Sequence, residues 1–171
     1  MTISAGDNGP RLIVHTQVIN TSSSHFLKAV LSNNWKEALE KNIVLHEVDQ
    51  TNLERYIHWL YTGSITPKPM IDVTYIAIFE LFLLGDYLQD MKSCQQLANL
   101  IIAKRSCGFP PMQPDICFAW ERTLPSSRLR RVITELWRAS SVEWSMRNFR
   151  SQESPYPMDF VLDMFYGFAE R

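Results

Sequence analysis

The chain has 171 residues, of which 46% are hydrophobic and 12% aromatic, which suits one domain, or one domain with an appended subdomain. The chain contains seventeen Lys and Arg residues and eighteen Asp and Glu residues. This balance argues against a dedicated nucleic-acid-binding protein, which usually carries a basic surplus. The most apolar stretch, residues 75–85, is too short to span a bilayer and contains Glu80, so we expect no membrane association.

The cysteines and the N-terminus indicate an intracellular protein. Cys94, Cys107 and Cys117 are an odd number without a CxxC pair, which is typical of reduced and mostly buried thiols. Residues 1–10 have neither the basic region nor the apolar run of a secretory signal. We therefore expect the cytoplasm or the nucleus.

The N-terminal part of the chain predicts a small sheet with short helices. Short β-type runs at residues 2–6 and 11–16 flank a turn at 7–10, which predicts a hairpin. The β-rich run at 42–48 predicts a third strand. Between them, residues 22–24 are serines that can cap a helix. That helix should bury residues at helical spacing, namely Phe26, Leu27, Val30 and Leu31.

The next segment predicts an amphipathic helix with aromatic residues at its end. Thr51 and Glu54 have the spacing of a capping box, and Gly63 can take the left-handed conformation that ends a helix. Four apolar residues at helical spacing should face the core: Leu53, Tyr56, Ile57 and Leu60. Trp59 and Tyr61 flank this stripe, so at least one of them should pack against a second layer.

Two further helices are predicted before residue 108. Pro67 and Pro69 break the chain, and Asp72 can cap a helix over 73–88 that is apolar nearly all round and therefore buried. Asp90 should cap the helix that follows. One face of that helix should be buried through Met91, Cys94, Leu97, Ala98, Ile101 and Ile102.

Residues 108–114, rich in proline, predict an internal boundary. A short helix is expected near 115–122, followed by two amphipathic helices. The first of these should bury Leu129, Val132, Ile133, Leu136 and Trp137. The last helix should bury Phe160, Val161, Met164, Phe165 and Phe168.

Candidate catalytic and metal-binding residues are sparse. The four histidines, at 15, 25, 46 and 58, lack the spacing of a metal site, so we predict no metal and no cofactor. A hydrolase using Ser24 and His25 is a weak hypothesis, because no nucleophile elbow is present.

Arginines are concentrated between residues 128 and 150. They are Arg128, Arg130, Arg131, Arg138, Arg147 and Arg150. A patch for nucleic acid or an acidic partner and a solvated helix face both fit this pattern. The interleaved Glu135 and Glu143 favour the solvated face.

Four motifs occur in order along the chain: VHTQVINTSSSHF at 14–26, NNWKEALEKNIVLHEVD at 33–49, LERYIHWLYTG at 53–63 and LFLLGDYLQD at 81–90. Together they resemble the BTB/POZ domain in the form common in fungal proteins, and residues 121–131 resemble a segment that often follows it. The resemblance implies an α+β fold, with a small mixed sheet flanked by helical hairpins. We assign residues 1–107 to the BTB/POZ domain and 108–171 to a helical C-terminal extension packed on it.

The resemblance also implies a non-catalytic protein–protein interaction module. Family members that recruit a cullin scaffold carry a hydrophobic-x-Glu element where this chain has Trp35, Lys36 and Glu37, and these three are the predicted partner-binding residues. The sharper hypothesis is therefore an adaptor for a cullin-type ubiquitin ligase. The alternative is self-association or transcription-cofactor docking without a ubiquitin role. For the motif itself, the structural interpretation is that Trp35 packs into its own domain and Glu37 is solvated.

The position of the first strand bears on dimer formation. Some family members exchange a strand that lies upstream of this point, and here the sequence begins at or inside the first strand. We therefore expect a monomer or a weak homodimer.

Overall fold

A computed structural model describes residues 1–32, 36–65, 73–106, 108–140, 142–151 and 155–169. The chain divides into two compact units, Met1–Leu97 and Ala98–Arg171. No helix within the described ranges is both long and apolar enough to cross a membrane.

The first unit contains a three-stranded mixed sheet. Its strands are β1 (Thr2–Ala5), β2 (Leu12–Ile13) and β3 (Asn42–Leu45), in the order β2-β1-β3. The central β1 pairs antiparallel with β2 and parallel with β3, which confirms the predicted hairpin and third strand. A side chain at Gly9 would place its Cβ 2.0 Å from the carbonyl oxygen of Ala5, so the turn between β1 and β2 needs glycine there.

Among the described residues of this unit, six helices begin. They are α1 (Thr16–Thr21), α2 (His25–Ser32), α3 (Lys36–Glu40), α4 (Gln50–Thr62), α5 (Tyr75–Tyr87) and α6 (Met91–Ser106). Two predicted caps are confirmed, because Ser24 Oγ accepts from the Leu27 amide at 3.1 Å and the Asp90 carboxylate accepts from the Ser93 amide at 3.2 Å.

The start of α4 differs from the predicted capping box. The N-cap is Asp49, whose carboxylate accepts from the Asn52 amide at 3.0 Å. The helix therefore begins at Gln50, and Thr51 already lies inside the first turn. Glu54 accepts instead from the side-chain amide of Gln50 at 2.8 Å. The prediction was wrong by two residues because Asp49, two residues ahead of the Thr, makes an equally good cap.

The buried face of α4 is also rotated from the predicted one. Leu53, Tyr56 and Trp59 are buried, whereas Ile57 and Leu60 are only half-buried. The indole is therefore part of the core, which confirms that one of the aromatics at the helix end packs against a second layer. Gly63 ends the helix at φ 66°, as predicted.

Helix α5 is the central buried helix of this unit, as the sequence predicts. Its N-cap is Thr74, whose hydroxyl accepts from the Ala77 amide at 3.2 Å, while the predicted cap Asp72 lies outside the described residues. A Cβ at Gly85 would lie 3.2 Å from Cys94 Sγ. The glycine therefore lets α5 and α6 approach closely.

The second unit is helical. Besides the end of α6 it contains α7 (Gln113–Glu121), α8 (Arg128–Arg138), α9 (Val142–Ser151) and α10 (Met158–Ala169). The sequence does not predict α9, although its Phe149 stacks on the buried indole of Trp137 at 5.4 Å. The same indole packs edge-on against Phe160 at 5.3 Å and donates to the Pro111 carbonyl at 2.8 Å. The proline-rich stretch is thus joined to the core of this unit.

Several residues predicted to be buried are not. Ile102 is 49% exposed and Phe165 is 48% exposed, and Val132 and Val161 are half-buried. Each lies at the edge of its apolar stripe, about 100° around the helix from a fully buried neighbour. Phe168 in the last helix and Cys107 lie outside the residues whose side chains are described.

Arg130 corrects the prediction of a wholly solvated arginine face. Its side chain is buried and its guanidinium donates to the Trp120 carbonyl at 2.7 Å and to the Thr123 hydroxyl at 2.8 Å. It also contacts the Thr123 carbonyl and lies 3.8 Å from the Asp159 carboxylate. Because its donors are satisfied internally, this arginine joins the α7–α8 turn to α10.

The rotated face of α4 leads to a stability prediction. Leu53→Ala should lower the free energy of unfolding by about 2 to 5 kcal/mol, because it empties a fully buried site. Leu60→Ala, at a half-buried site of the same helix, should cost only about 1 kcal/mol. Urea denaturation followed by circular dichroism measures both, and equal losses would contradict the assignment of the buried face.

Candidate functional site

The predicted partner-binding residues lie at the start of α3. Glu37 is in the first turn of this helix and is exposed. Lys36 is the first residue of the helix, and Trp35 lies outside the described residues. Of the three predicted residues, Glu37 is thus the one whose side chain can be placed at the surface.

Leu39 is a second exposed residue of the same helix and was missed in the sequence. It is 75% exposed, two residues beyond Glu37 on a helix of five residues. An apolar residue between Glu37 and Glu40 is a signal that could have identified it. An exposed side chain of this size is available as an apolar contact for a partner.

The position of α3 is fixed by its neighbours. It packs against α2 and lies next to β3. A single residue, Lys41, links the helix to the strand and takes a left-handed conformation with φ 51°. Its carbonyl accepts from the Thr2 amide at 2.8 Å, so β1 holds this link. The exposed residues of α3 are therefore presented on a helix tied to the sheet.

Helix α2, against which α3 packs, is held at its N-terminus. The hydroxyl of Ser24 is fully buried, donates to the Leu88 carbonyl at 2.6 Å and accepts from the Leu27 amide. Both hydrogen-bonding roles of Ser24 are thus structural, which removes the basis for the hydrolase hypothesis that paired it with His25. The first turn of α2 also carries Phe26, whose ring lies 6.3 Å from that of Tyr87.

A buried carboxylate connects these elements. Asp90 is 1% exposed and accepts from the Tyr56 hydroxyl at 2.8 Å and from the Ser93 hydroxyl at 2.7 Å. It also accepts from the hydroxyl of Ser23. The indole of Trp59 donates to the Ser93 hydroxyl at 3.2 Å. Helices α4 and α6 and the segment before α2 therefore meet at one carboxylate.

Burial is the main reason that the pKa of Tyr56 is raised far above its usual value. The negative charge of Asp90 and the hydrogen bond to it raise the pKa of Tyr56 further, because both oppose ionisation of the phenol. The phenol therefore remains a hydrogen-bond donor throughout the physiological pH range.

Tyr61, the second aromatic residue at the end of α4, has a different role from Trp59. It is 44% exposed, and its hydroxyl accepts from the His15 amide at 2.9 Å and lies 2.7 Å from His15 Nδ1. The two rings meet edge-on at 5.9 Å. This pair connects the end of α4 to the residue before α1.

Metal ligands are not grouped in the part of the chain that the structure describes. Among those residues, no cluster of three or more His, Cys, Asp or Glu side chains could hold a metal ion. Cys94 is buried, Cys117 is half-buried, and the two are not joined in a disulfide.

Comparison with known proteins identifies the family of the chain. The model of the BTB/POZ domain family matches residues 1–104. A BTB/POZ domain-containing protein of Arabidopsis thaliana is 27% identical over 103 residues, which cover 57% of this chain and 35% of that protein. The chain thus spans about a third of the length of this curated relative.

The Asp90 cluster leads to a prediction for Tyr56→Phe. Loss of the hydroxyl leaves a buried carboxylate oxygen with one donor fewer, so the free energy of unfolding should fall by about 1 to 3 kcal/mol at neutral pH. Tyr61→Phe removes a partly exposed hydrogen bond and should cost less than about 1 kcal/mol.

The same tyrosine predicts the response to alkaline pH. Because its pKa is raised in the folded state, the stability that its neutral form contributes is complete below about pH 10, the unfolded pKa, and is lost as the pH rises beyond it. Tyr56→Phe should therefore lose less stability between about pH 9 and 11 than the parent. Urea melts at each pH measure this, and parallel pH profiles would contradict it.

Proposed function

The chain belongs to the BTB/POZ family, whose domains are generally protein–protein interaction modules, and we propose that it is an adaptor that binds a cullin scaffold through α3. The observation that carries this proposal is that Glu37 and Leu39, two residues of that helix, are both exposed. The resemblance of Trp35, Lys36 and Glu37 to the hydrophobic-x-Glu element of cullin-binding members supports it.

Each proposed contact has a separate physical role. Trp35 supplies the apolar anchor, since a central aromatic side chain contributes more binding energy than most other interface residues. Leu39 supplies a second apolar contact. Glu37 pairs with a basic residue of the cullin at the rim of the interface, where the attraction is screened by salt and mainly raises the association rate.

The link between α3 and the sheet supports docking of a preformed surface. A helix held by β1 through the Lys41 carbonyl loses little conformational freedom when a partner binds. The binding energy of the anchors is therefore not spent on ordering the helix.

The finer assignments belong to the same proposal. We propose a fungal-type member that acts in the cytoplasm or nucleus, supported by the motif form at residues 121–131 and by an odd number of cysteines without a CxxC pair. The division into a BTB/POZ domain at 1–107 and a helical extension at 108–171 stays a prediction, as does a weak homodimer.

Isothermal titration calorimetry of the full chain with a recombinant cullin N-terminal region tests the adaptor role. Trp35→Ala should weaken binding by about 2 kcal/mol or more, and Leu39→Ala by about 1 kcal/mol. Glu37→Ala should weaken binding less and reduce its salt dependence. All three variants should keep the parent's melting temperature.

Two control variants are matched to these positions. Ile13→Ala removes an apolar side chain that is 78% exposed on β2, and Glu47→Ala removes an exposed carboxylate after β3. Neither should change the affinity. Absence of binding by the parent would refute the adaptor role and leave the general interaction module, with self-association or transcription-cofactor docking as its alternatives. Unfolding of Trp35→Ala would instead make that residue part of the core.

A further inference from the structure

The last helix of the second unit, α10, has an exposed apolar stripe. Met158 is 70% exposed, Leu162 is 44% exposed and Phe165 is 48% exposed. They lie at positions i, i+4 and i+7, which places them on one side of the helix over two turns. Three large apolar side chains in a row on an exposed helix face form a contiguous patch rather than scattered exposure.

The opposite side of α10 is anchored in the core. Phe160 and Met164 are fully buried, and the Phe160 ring packs edge-on against Trp120 at 5.1 Å and Trp137 at 5.3 Å. The Asp163 carbonyl accepts from Arg138 of α8 at 2.6 Å. The helix therefore presents its exposed stripe from a fixed support, as a helix-binding surface requires.

One edge of the stripe is acidic. Asp159 and Asp163 lie four residues apart on α10, and both are exposed. The Asp159 side chain is 67% exposed even though it lies 3.8 Å from Arg130. The sequence of α10 contains no Lys or Arg. If a partner covers the apolar stripe, the partner residues that border its own apolar face will therefore lie against the carboxylates of Asp159 and Asp163.

We propose that the stripe of Met158, Leu162 and Phe165 docks an amphipathic helix of a partner protein whose apolar face is bordered by Lys or Arg. Its apolar residues, at i, i+3 or i+4, and i+7, cover the stripe, and its basic border pairs with Asp159 and Asp163. This site is in the second unit and does not depend on the proposed cullin-binding surface of α3.

The acidic edge also decides between occupants. An anionic lipid surface would be repelled by Asp159 and Asp163. A second copy presenting the same stripe would bring two more carboxylates and no base from its own α10. A basic amphipathic helix is the occupant that satisfies both the apolar stripe and its border.

Fluorescence anisotropy with two labelled helical peptides tests the proposal on the full chain. Both probes carry Leu at the same i, i+4 and i+7 positions, and their borders are Lys in one and Glu in the other. The parent should bind the Lys peptide at least about tenfold more tightly than the Glu peptide. Leu162→Asp should weaken binding of the Lys peptide by about tenfold or more.

Two further variants test whether binding depends on the acidic border and on the position of the stripe. Asp163→Lys should narrow or reverse the preference for the Lys peptide, because it changes the sign of the border. Ile102→Asp, on α6 of the same unit, alters an apolar side chain of similar exposure, 49%, and should leave binding within about twofold. Circular dichroism melts should be alike for all variants, since each altered side chain is exposed.

Several outcomes would overturn the proposal. Equal affinity for the two peptides would show that the acidic border does not contribute to binding. Unchanged affinity of Leu162→Asp for the Lys peptide would show that the stripe is not the binding site. Binding of phosphatidylserine vesicles that Leu162→Asp abolishes would assign the stripe to a membrane. A dimer in sedimentation velocity that Leu162→Asp dissociates would assign it to a second copy of the chain.

Discussion

The first unit depends on a single buried carboxylate. Asp90 accepts hydrogen bonds from partners on two other segments and from its own helix α6, so its charge is surrounded by donors instead of water. An unpaired carboxylate at this depth would cost several kcal/mol. The donors must therefore assemble together, and their assembly fixes where α2 and α4 meet α6. The exposed surface of α3 is placed indirectly by the same cluster, because α3 packs on α2.

Local signals in the sequence predict most of the fold, whereas long-range pairings are beyond them. Asp90 is recognisable as a helix cap, since a cap depends on residues three positions away. Its bonds to Tyr56 and Ser23 span 34 and 67 residues, and no spacing rule encodes them. The buried face of α4 was misjudged for the same reason, because Trp59 turns inward to reach Ser93.

The candidate site was predicted only in part. Glu37 came from the hydrophobic-x-Glu element, whereas Leu39 lies outside that element and was found through its exposure. Arg130 shows the opposite failure. A run of arginines has the pattern of a solvated face, but the carbonyls of Trp120 and Thr123 accept from Arg130 in the interior. In each case the residue type can be read from the sequence, but contacts from distant segments decide whether the side chain is buried or exposed.

The left-handed link at Lys41 has a consequence for how the proposed docking helix could vary among related proteins. A non-glycine residue at φ 51° holds about 1 kcal/mol or more of backbone strain, which the bond from Thr2 to its carbonyl helps to retain. Glycine there would relieve the strain and also allow the chain to leave this conformation. At this one position, the stability of the fold and the fixed orientation of α3 thus favour different residues. Selection for precise docking would preserve Lys41, whereas selection for stability alone would replace it with glycine.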